Sequence, residues 1–128
     1  RAAPFGFAVT AGLQLAGVPP DDARREDLPA AVRALTGARQ IADDASDWLA
    51  DLRAGQLNWV AAGLIRAFRA SSPAAEGSLE RLAGYELRAE RFWEEVEQSY
   101  EALCGQALAR LAPYGRCRLG ALVAAQRD

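Results

Sequence analysis

The amino-acid sequence predicts an all-α protein, an antiparallel bundle of helices. Apolar residues make up 51% of the chain, Ala is the most frequent of them, and aromatic residues make up only 8%. The apolar residues recur at helical spacing, and no segment shows the apolar–polar alternation of a half-buried strand. Because 128 residues suffice for one hydrophobic core, we expect one helical domain or half-domain.

The first predicted helix covers residues 4–17 and is almost entirely apolar. Pro4 lies in its first turn, and Gly17 ends it just before a Pro-rich segment. Its only polar side chains are those of Thr10 and Gln14, so we expect the helix to be buried on nearly every side. Such burial needs more helices than this chain supplies, and we therefore expect missing sequence or a partner to complete it.

Four more helices are predicted after a charged loop at residues 21–27. Asp27 is the expected N-cap of the second helix, and Gly55 is its expected C-terminal stop. Asn58 is the expected cap of the third helix, and the fourth has a predicted bend near Gly84. These four helices are predicted over residues 28–54, 59–70, 79–111 and 114–125.

The charged residues and cysteines exclude several classes of function. All fifteen basic residues are Arg, the net charge is −2, and no basic run interleaves with aromatic residues, so nucleic-acid binding is not expected. The absence of His excludes Ser-His-Asp hydrolysis and any His-ligated metal site. Cys104 and Cys117 lack the second ligand pair of a zinc site. Buried reduced thiols are the favoured interpretation, and a disulfide between the two stays open.

The chain carries neither a predicted transmembrane segment nor the layout of a signal peptide. We therefore expect a cytoplasmic protein. Because the chain begins at Arg1 and contains no Met, we expect that it does not begin at its own translation start. We expect a processed product or, as the favoured interpretation, part of a longer protein. High Ala and Arg content without Lys indicates a GC-rich bacterial genome.

An acidic stripe, formed by Gln40, Asp43, Asp44, Asp47 and Asp51, lies on one face of the second predicted helix. Measured from Asp43, the other four residues lie at about 60°, 100°, 40° and 80°, at ~100° per residue. Like charges three or four residues apart repel by a few tenths of a kcal/mol per pair. A helix that keeps four such carboxylates is expected to place a cation against them.

Two interpretations of the acidic stripe follow from the residues alone. Apolar neighbours such as Trp48 favour a site that faces a cavity, where oxygen ligands would suit Mg²⁺ or Mn²⁺. Because Mg²⁺ takes only one or two protein carboxylates, substrate phosphates would complete its coordination. The alternative is a solvated acidic face paired with Arg33, Arg39 and Arg53.

The segment from residue 40 to 58 resembles the second aspartate-rich helix of class I isoprenoid synthases, the superfamily of trans-prenyl diphosphate synthases. Asp43-Asp44-Ala45-Ser46-Asp47 matches the family's DDxxD motif, and Gln40 stands where the family has the Gln of F-Q-x-x-D-D. The same segment is similar to the helix of squalene and phytoene synthases and terpene cyclases. There, Asp47-x-x-x-Asp51-x-x-x-Gly55-Gln56 resembles D-x-x-x-D-x-x-x-G-R.

This resemblance implies the C-terminal half of an isoprenoid-synthase-type α-bundle, a prenyltransferase that ionises an allylic prenyl diphosphate for chain coupling. The implied cofactor is Mg²⁺ or Mn²⁺. The residues implied to act in catalysis and metal binding are Asp43, Asp44 and Asp47, with Asp51 as a further metal ligand and Gln40, Arg1 and Arg53 as diphosphate-binding residues.

The resemblance also implies a partner, because the family uses two acidic motifs on facing helices. A complementary N-terminal half or a partner subunit would carry the first motif, in a homo- or hetero-oligomer. Alternatives are a terpene cyclase, a squalene- or phytoene-synthase-like enzyme, and a non-catalytic helical subunit of such a synthase. An unrelated helical module whose acidic stripe meets an Arg-rich partner also stays open.

Overall fold

The computed structural model describes residues 3–72, 77–115 and 118–125. Every regular element in these ranges is helical, which confirms the all-α fold class. None of the described helices is both long and apolar enough to cross a membrane. The α-helices are α1 (Ala3–Leu15), α2 (Arg24–Arg53), α3 (Trp59–Ser71), α4 (Leu79–Glu86), α5 (Glu90–Leu111) and α6 (Arg118–Ala125).

Glycine ends α1 and α2, as the sequence predicts. Gly17 and Gly55 have φ angles of 70° and 76°, in the left-handed region that favours glycine. After α2, the amide of Gly55 donates to the carbonyl of Leu52 at 3.1 Å, and that of Gln56 donates to Asp51 at 2.8 Å. This pair of hydrogen bonds is a Schellman motif, which satisfies carbonyls that the end of the helix leaves free.

Helix α2 begins earlier than predicted, at Arg24, inside the segment expected to be a loop. The cause is Asp22, whose Oδ1 accepts a hydrogen bond from the backbone amide of Arg24 at 2.9 Å and so satisfies a free amide of the first turn. The prediction of Asp27 as the N-cap is wrong. Asp27 lies within the first turn and instead accepts hydrogen bonds from Tyr114 at 2.6 Å and Arg110 at 2.9 Å.

The helix predicted over residues 79–111 is two helices, α4 and α5, separated by residues 87–89. The carbonyl of Glu86 accepts from the amide three residues later, at 3.1 Å, and from the indole of Trp93, at 3.2 Å. These bonds satisfy the end of α4 without continuing it. The interruption therefore lies beyond Gly84, where the sequence predicts only a bend.

The last predicted helix, over residues 114–125, begins later in the structure. Pro113 ends α5 as predicted, and Ala112–Tyr114 forms a single 3₁₀ turn. Gly115 follows with a φ angle of 67°, so the chain changes direction before α6 can begin at Arg118.

The chain divides into two compact units, which are described separately. Unit 1 contains residues 1–39 and 100–128, and its core is rich in small side chains, which let α2 and α5 approach closely. A Cβ at Gly37 would lie 3.1 Å from Leu103 Cδ1. Cys104 is fully buried there as a free thiol, and Cys117 lies outside the described residues. The buried core residues are Ala31, Ala34, Leu35, Ala38, Cys104, Ala107 and Leu111.

Helix α1 belongs to unit 1 and is far more exposed than its composition predicts. Phe5, Phe7 and Leu15 are 57%, 77% and 90% exposed. The described residues leave much of this helix exposed, which agrees with the expectation that burial on nearly every side needs more helices than this chain supplies. The expectation that missing sequence or a partner covers it stays a prediction.

Unit 2 contains residues 40–99 and has a core with larger side chains. The end of α2, α3, α4 and the beginning of α5 contribute to it. Its buried residues are Trp48, Val60, Ala61, Leu64, Phe68, Leu82 and Ala89. The acidic stripe lies entirely in this unit. The expectation of one domain or half-domain for the whole chain stays a prediction.

Candidate acidic site on helix α2

Helix α2 carries the whole acidic stripe without interruption, and the structure divides its members by burial. Asp44 is buried, with 7% of its surface exposed, and Asp51 is half-buried. Gln40, Asp43 and Asp47 are exposed. The stripe therefore has an inner part and an outer part, and the two carboxylates of the inner part are those with the largest angles from Asp43, at about 100° and 80°.

The buried carboxylate of Asp44 joins α2 to the beginning of α3. Its Oδ1 accepts a hydrogen bond from Nε2 of Gln40 at 2.6 Å, and its Oδ2 accepts one from the backbone amide of Trp59 at 3.1 Å. Trp59 is the first residue of α3, so Asp44 satisfies an amide that the helix itself leaves free. A negative charge at a helix N-terminus is also favoured by the helix dipole.

Asn58 makes the second connection between the same two helices. Its Oδ1 accepts from the amide of Ala61 at 2.8 Å, which confirms it as the N-cap of α3. Its Nδ2 donates to Oδ2 of Asp51 at 2.9 Å and to the carbonyl of Asp44 at 3.2 Å. Two of the four stripe carboxylates thus already serve the turn between α2 and α3.

Asp43 and Asp47 form the outer part of the stripe, and no described residue forms a hydrogen bond or ion pair with the side-chain carboxylate of either. They are one helical turn apart, which places their Cβ atoms about 5–6 Å from each other. Arg53 forms no ion pair with either carboxylate, and the solvated acidic face with Arg33, Arg39 and Arg53 stays an open alternative. Both carboxylates have their oxygens free to bind a cation.

The predicted diphosphate-binding residues are found in different surroundings. Arg1 lies outside the described residues. Arg53 is exposed in the last turn of α2. It contributes to the lowered pKa of Glu80, after the hydrogen bonds from the backbone amide of Glu80 and from the Ser78 hydroxyl. The amide of Gln40 donates to Asp44.

The described part of the chain contains no group of three or more Asp, Glu, Cys or His residues arranged to hold a metal ion. Asp43 and Asp47 nevertheless offer two free carboxylates. Mg²⁺ commonly binds one or two protein carboxylates and takes its other ligands from water and substrate phosphates. The exposed carboxylates of Asp43 and Asp47 therefore fit a metal ion that takes its other ligands from an oxyanion. They do not fit a metal site made of protein ligands alone.

Sequence reasoning missed the capping role of Asp44 and the hydrogen bond between Asp51 and the cap residue Asn58. The relevant signal is Asn58, since an N-cap placed shortly after Gly55 brings the beginning of α3 back towards α2. The helical projection of α2 gives a second signal, since Asp44 lies about 100° from Asp43, on the side of the buried Trp48.

Comparison with known proteins identifies no relative. No family model, no curated protein and no solved structure matches this chain. The resemblance to class I isoprenoid synthases therefore depends on the residues of α2 and the turn that follows it.

Proposed function

We propose that this chain is part of a Mg²⁺-dependent class I isoprenoid synthase, which ionises an allylic prenyl diphosphate for chain coupling. One observation carries the proposal, the exposed pair Asp43 and Asp47. They occupy the first and last positions of the DDxxD pattern, lie one turn apart, and have no partner among the described residues. Free carboxylates at this spacing are what a metal ion shared with a diphosphate requires.

The other stripe residues position this pair. Asp44 and Asn58 tie the last turns of α2 to the beginning of α3 through three hydrogen bonds of 2.9–3.2 Å to backbone and side chain. Asp43 and Asp47 lie on the same turns of α2, on its exposed side. A helix held in this way keeps two carboxylates at a fixed separation without using them for packing.

Mg²⁺ bound at Asp43 and Asp47 would neutralise the charge that develops on the leaving diphosphate. The part of this chain is to supply two carboxylate oxygens on a rigid turn. Arg53, exposed at the end of the same helix, and Arg1 are the proposed cationic contacts of the diphosphate. Terpene cyclisation and squalene- or phytoene-like coupling would use the same residues and differ in the fate of the allylic cation.

The proposal includes a partner. Two free carboxylates on one helix provide one side of a metal-diphosphate site, so a complementary half or subunit with the other acidic motif is required. Charge repulsion between substrate diphosphate and unpaired carboxylates is overcome only when the metal ions are present. Binding of the substrate should therefore depend on Mg²⁺ and should be stronger when both halves of the site are present.

The proposal is tested by calorimetric titration of a non-hydrolysable allylic diphosphate analogue, with and without Mg²⁺. Asp43→Asn and Asp47→Asn should each weaken Mg²⁺-dependent binding at least about tenfold, since each removes a charged ligand. Glu97→Gln is the matched control, an exposed carboxylate on another helix, and should bind as the parent chain does. Binding of the analogue that does not depend on Mg²⁺, or that both substitutions leave unchanged, would contradict the proposal. The proposal would also be contradicted if the analogue did not bind after the complementary half is added.

A non-catalytic helical subunit is the second candidate function, and the exposure of α1 favours it. Phe5, Phe7 and Leu15 leave apolar surface on a helix that has no charged residue. Apolar patches of this kind mark protein–protein contacts. In that case Asp43→Asn would leave association with the partner synthase unchanged, whereas Phe7→Ser would weaken it in a pull-down measurement.

A further inference from the structure

Unit 2 contains a groove that the acidic stripe does not explain. It lies between α3 and the first turns of α5, is open to solvent, and has a volume of about 820 Å³. Small-molecule sites have volumes of about 300–1,000 Å³. Neither Asp43 nor Asp47 lines it. Its wall combines aromatic and aliphatic side chains with the guanidinium groups of Arg66 and Arg88.

Two contacts show which residues of α3 lie opposite the beginning of α5 along the groove. The Phe92 ring of α5 lies against Gly63 of α3, where an added Cβ would be 2.6 Å from the ring. The Tyr85 ring, which precedes α5, meets the Phe68 ring at a centroid distance of 5.4 Å. Positions before Phe92 therefore face the later turns of α3, and positions after it face the beginning of α3. Arg88 lies between Tyr85 and Phe92, which places it on the same end of the groove as the later turns of α3.

This end of the groove is basic. Arg66 and Arg88 are exposed, and neither forms an ion pair with a described residue. Arg91 pairs with Glu95 at 3.4 Å, which leaves Glu90 as the other acidic residue of the wall. Three Arg against two Glu give the groove one net positive charge, whereas the whole chain has a net charge of −2. The groove is a local site for an anion on an acidic protein.

The opposite end contains the exposed aromatic surface of the groove. Trp59, at the beginning of α3, is 48% exposed, and the buried side chain of Val96 forms part of the wall nearby. Glu95 and Ser99 also line this end, and Glu95 pairs with Arg91. Along α3, the distance from Trp59 to Ala70 is about 16 Å, at ~1.5 Å per residue. The groove thus has the length of an extended hydrocarbon chain, with the guanidinium groups of Arg66 and Arg88 at one end and the exposed indole of Trp59 at the other.

We propose that this groove binds an amphiphile with a phosphate head and an extended apolar tail. The guanidinium groups of Arg66 and Arg88 bind the phosphate oxygens, a pairing in which Arg donates two parallel hydrogen bonds. The tail lies over Phe92 towards Trp59, where it covers the exposed indole. No metal ion takes part, and the site is separate from the Asp43–Asp47 pair.

The test is titration of dodecyl phosphate, below its critical micelle concentration and with EDTA present, followed by calorimetry and by tryptophan fluorescence. We expect one molecule to bind per chain, with a change in emission that Trp59→Phe removes. The double variant Arg66→Gln/Arg88→Gln should weaken binding at least about tenfold, because both charge-assisted contacts are lost. Arg69→Gln, on the same helix but outside the groove, should bind like the parent chain.

Three further ligands distinguish the proposed phosphate amphiphile from other occupants of the groove. Dodecanol presents the tail without the charge, and dodecyltrimethylammonium presents the opposite charge, so both should bind at least tenfold more weakly. Vesicles with phosphatidic acid distinguish a membrane lipid from a soluble phosphate, and binding to either supports the shared chemistry. Equal affinity for dodecanol, unchanged affinity in the double Arg variant, or no binding by the folded chain would each overturn the proposal. Asp43→Asn should leave this binding intact, so its outcome is independent of the Mg²⁺ titration.

Discussion

Asp44 is a buried carboxylate whose two oxygens each accept a hydrogen bond, from Gln40 and from the amide of Trp59. Replacing it with Ala removes a cap from α3 and leaves a part-buried amide without an acceptor. Loss of a cap costs about 0.5–2 kcal/mol, and an unsatisfied buried donor about 1–3 kcal/mol. We expect Asp44→Ala to lower the free energy of unfolding by about 2 kcal/mol, measured by urea denaturation.

Asp43→Ala is the control for this prediction. It removes a carboxylate from the neighbouring position of the same helix, but an exposed one without a described partner, so the change should stay within about 0.5 kcal/mol. Equal destabilisation by both substitutions would show that the division between buried and exposed carboxylates is wrong.

Tyr114 and Asp27 form a second residue-scale feature, in unit 1. The hydrogen bond to Asp27, followed by burial, raises the pKa of Tyr114 from 10.0 to about 12. The same bond, followed by that from Arg110, lowers the pKa of Asp27. A raised tyrosine pKa stabilises the fold fully below about pH 10, and this contribution is lost as the pH rises through 12. The lowered pKa of Asp27 stabilises the fold at pH values above the ordinary pKa of Asp. This contribution is lost as the pH falls through the pKa of Asp27 in the folded protein.

We therefore expect Tyr114→Phe to flatten the pH dependence of the free energy of unfolding between pH 10 and 12. On the acid side the dependence should become shallower but persist, because Arg110 still lies 2.9 Å from Asp27. The measurement is urea denaturation across both pH ranges. Tyr85→Phe is the control, since its hydroxyl has no described hydrogen bond, and it should keep the alkaline decline. An unaltered profile in Tyr114→Phe would contradict the assignment.

The residue scale also shows where sequence reasoning reaches its limit. The Asp43–Asp47 spacing follows from the helical period, and α2 contains both residues in one helix as predicted. The burial of Asp44 depends on where α3 begins, although its angle of about 100° from Asp43 already places it on the side of Trp48. Asp27 was misassigned because Asp22 satisfies the amide of Arg24 and so begins α2 earlier. The partners that Asp27 has instead, Tyr114 and Arg110, come from a segment more than eighty residues away.

At the scale of elements, one glycine ends α2 and another lies in the interior of α4. Gly55 ends α2 with a φ angle of 76°, a conformation that costs other L-residues about 1–2 kcal/mol. Gly84 lies within α4, where an added Cβ would meet nothing within 4 Å. In a helix interior, Ala is more favourable than Gly by about 0.5–1 kcal/mol.

The two glycines should consequently respond to the same substitution with opposite signs. Gly55→Ala should lower the free energy of unfolding by about 1 kcal/mol, and Gly84→Ala should raise it by about 0.5 kcal/mol. Urea denaturation followed by circular dichroism measures both. Because the added methyl group is the same, a change of equal sign at both positions would refute the role given to the left-handed conformation at Gly55.

Most elements could be predicted from local signals. Gly17, Gly55, Asn58 and Pro113 each end or begin a helix where the sequence places it. The separation of α4 from α5 could not be predicted in this way, because the indole of Trp93 contributes to it from the next helix. The exposure of α1 follows from the number of predicted helices and not from a local signal. An apolar helix is predicted to be buried, but burial requires neighbours, and the sequence predicts too few other helices to cover every side of α1.

At the scale of the whole molecule, the two compact units have different kinds of core. Unit 1 is built from two separate parts of the chain, and its core is mostly Ala. Unit 2 is continuous in sequence, from residue 40 to residue 99, and buries larger side chains such as Trp48, Leu64 and Phe68. A contiguous segment with its own core and caps contains the information needed to fold alone.

We expect a fragment of residues 40–99 to be helical and to unfold cooperatively, at a lower temperature than the full chain. Domains of about 60 residues bury only about 60% of the surface of their unfolded chain, so the stability of the fragment should be small. Leu64, which is fully buried, provides the decisive variant, because Leu→Ala in a core costs about 2–5 kcal/mol. Leu64→Ala should unfold the fragment at 25 °C, whereas Arg69→Gln, on the exposed side of the same helix, should not. Circular dichroism and thermal denaturation measure both. A parent fragment without a cooperative transition would mean that α2 and α5 need the residues of unit 1 to hold the candidate acidic site in place.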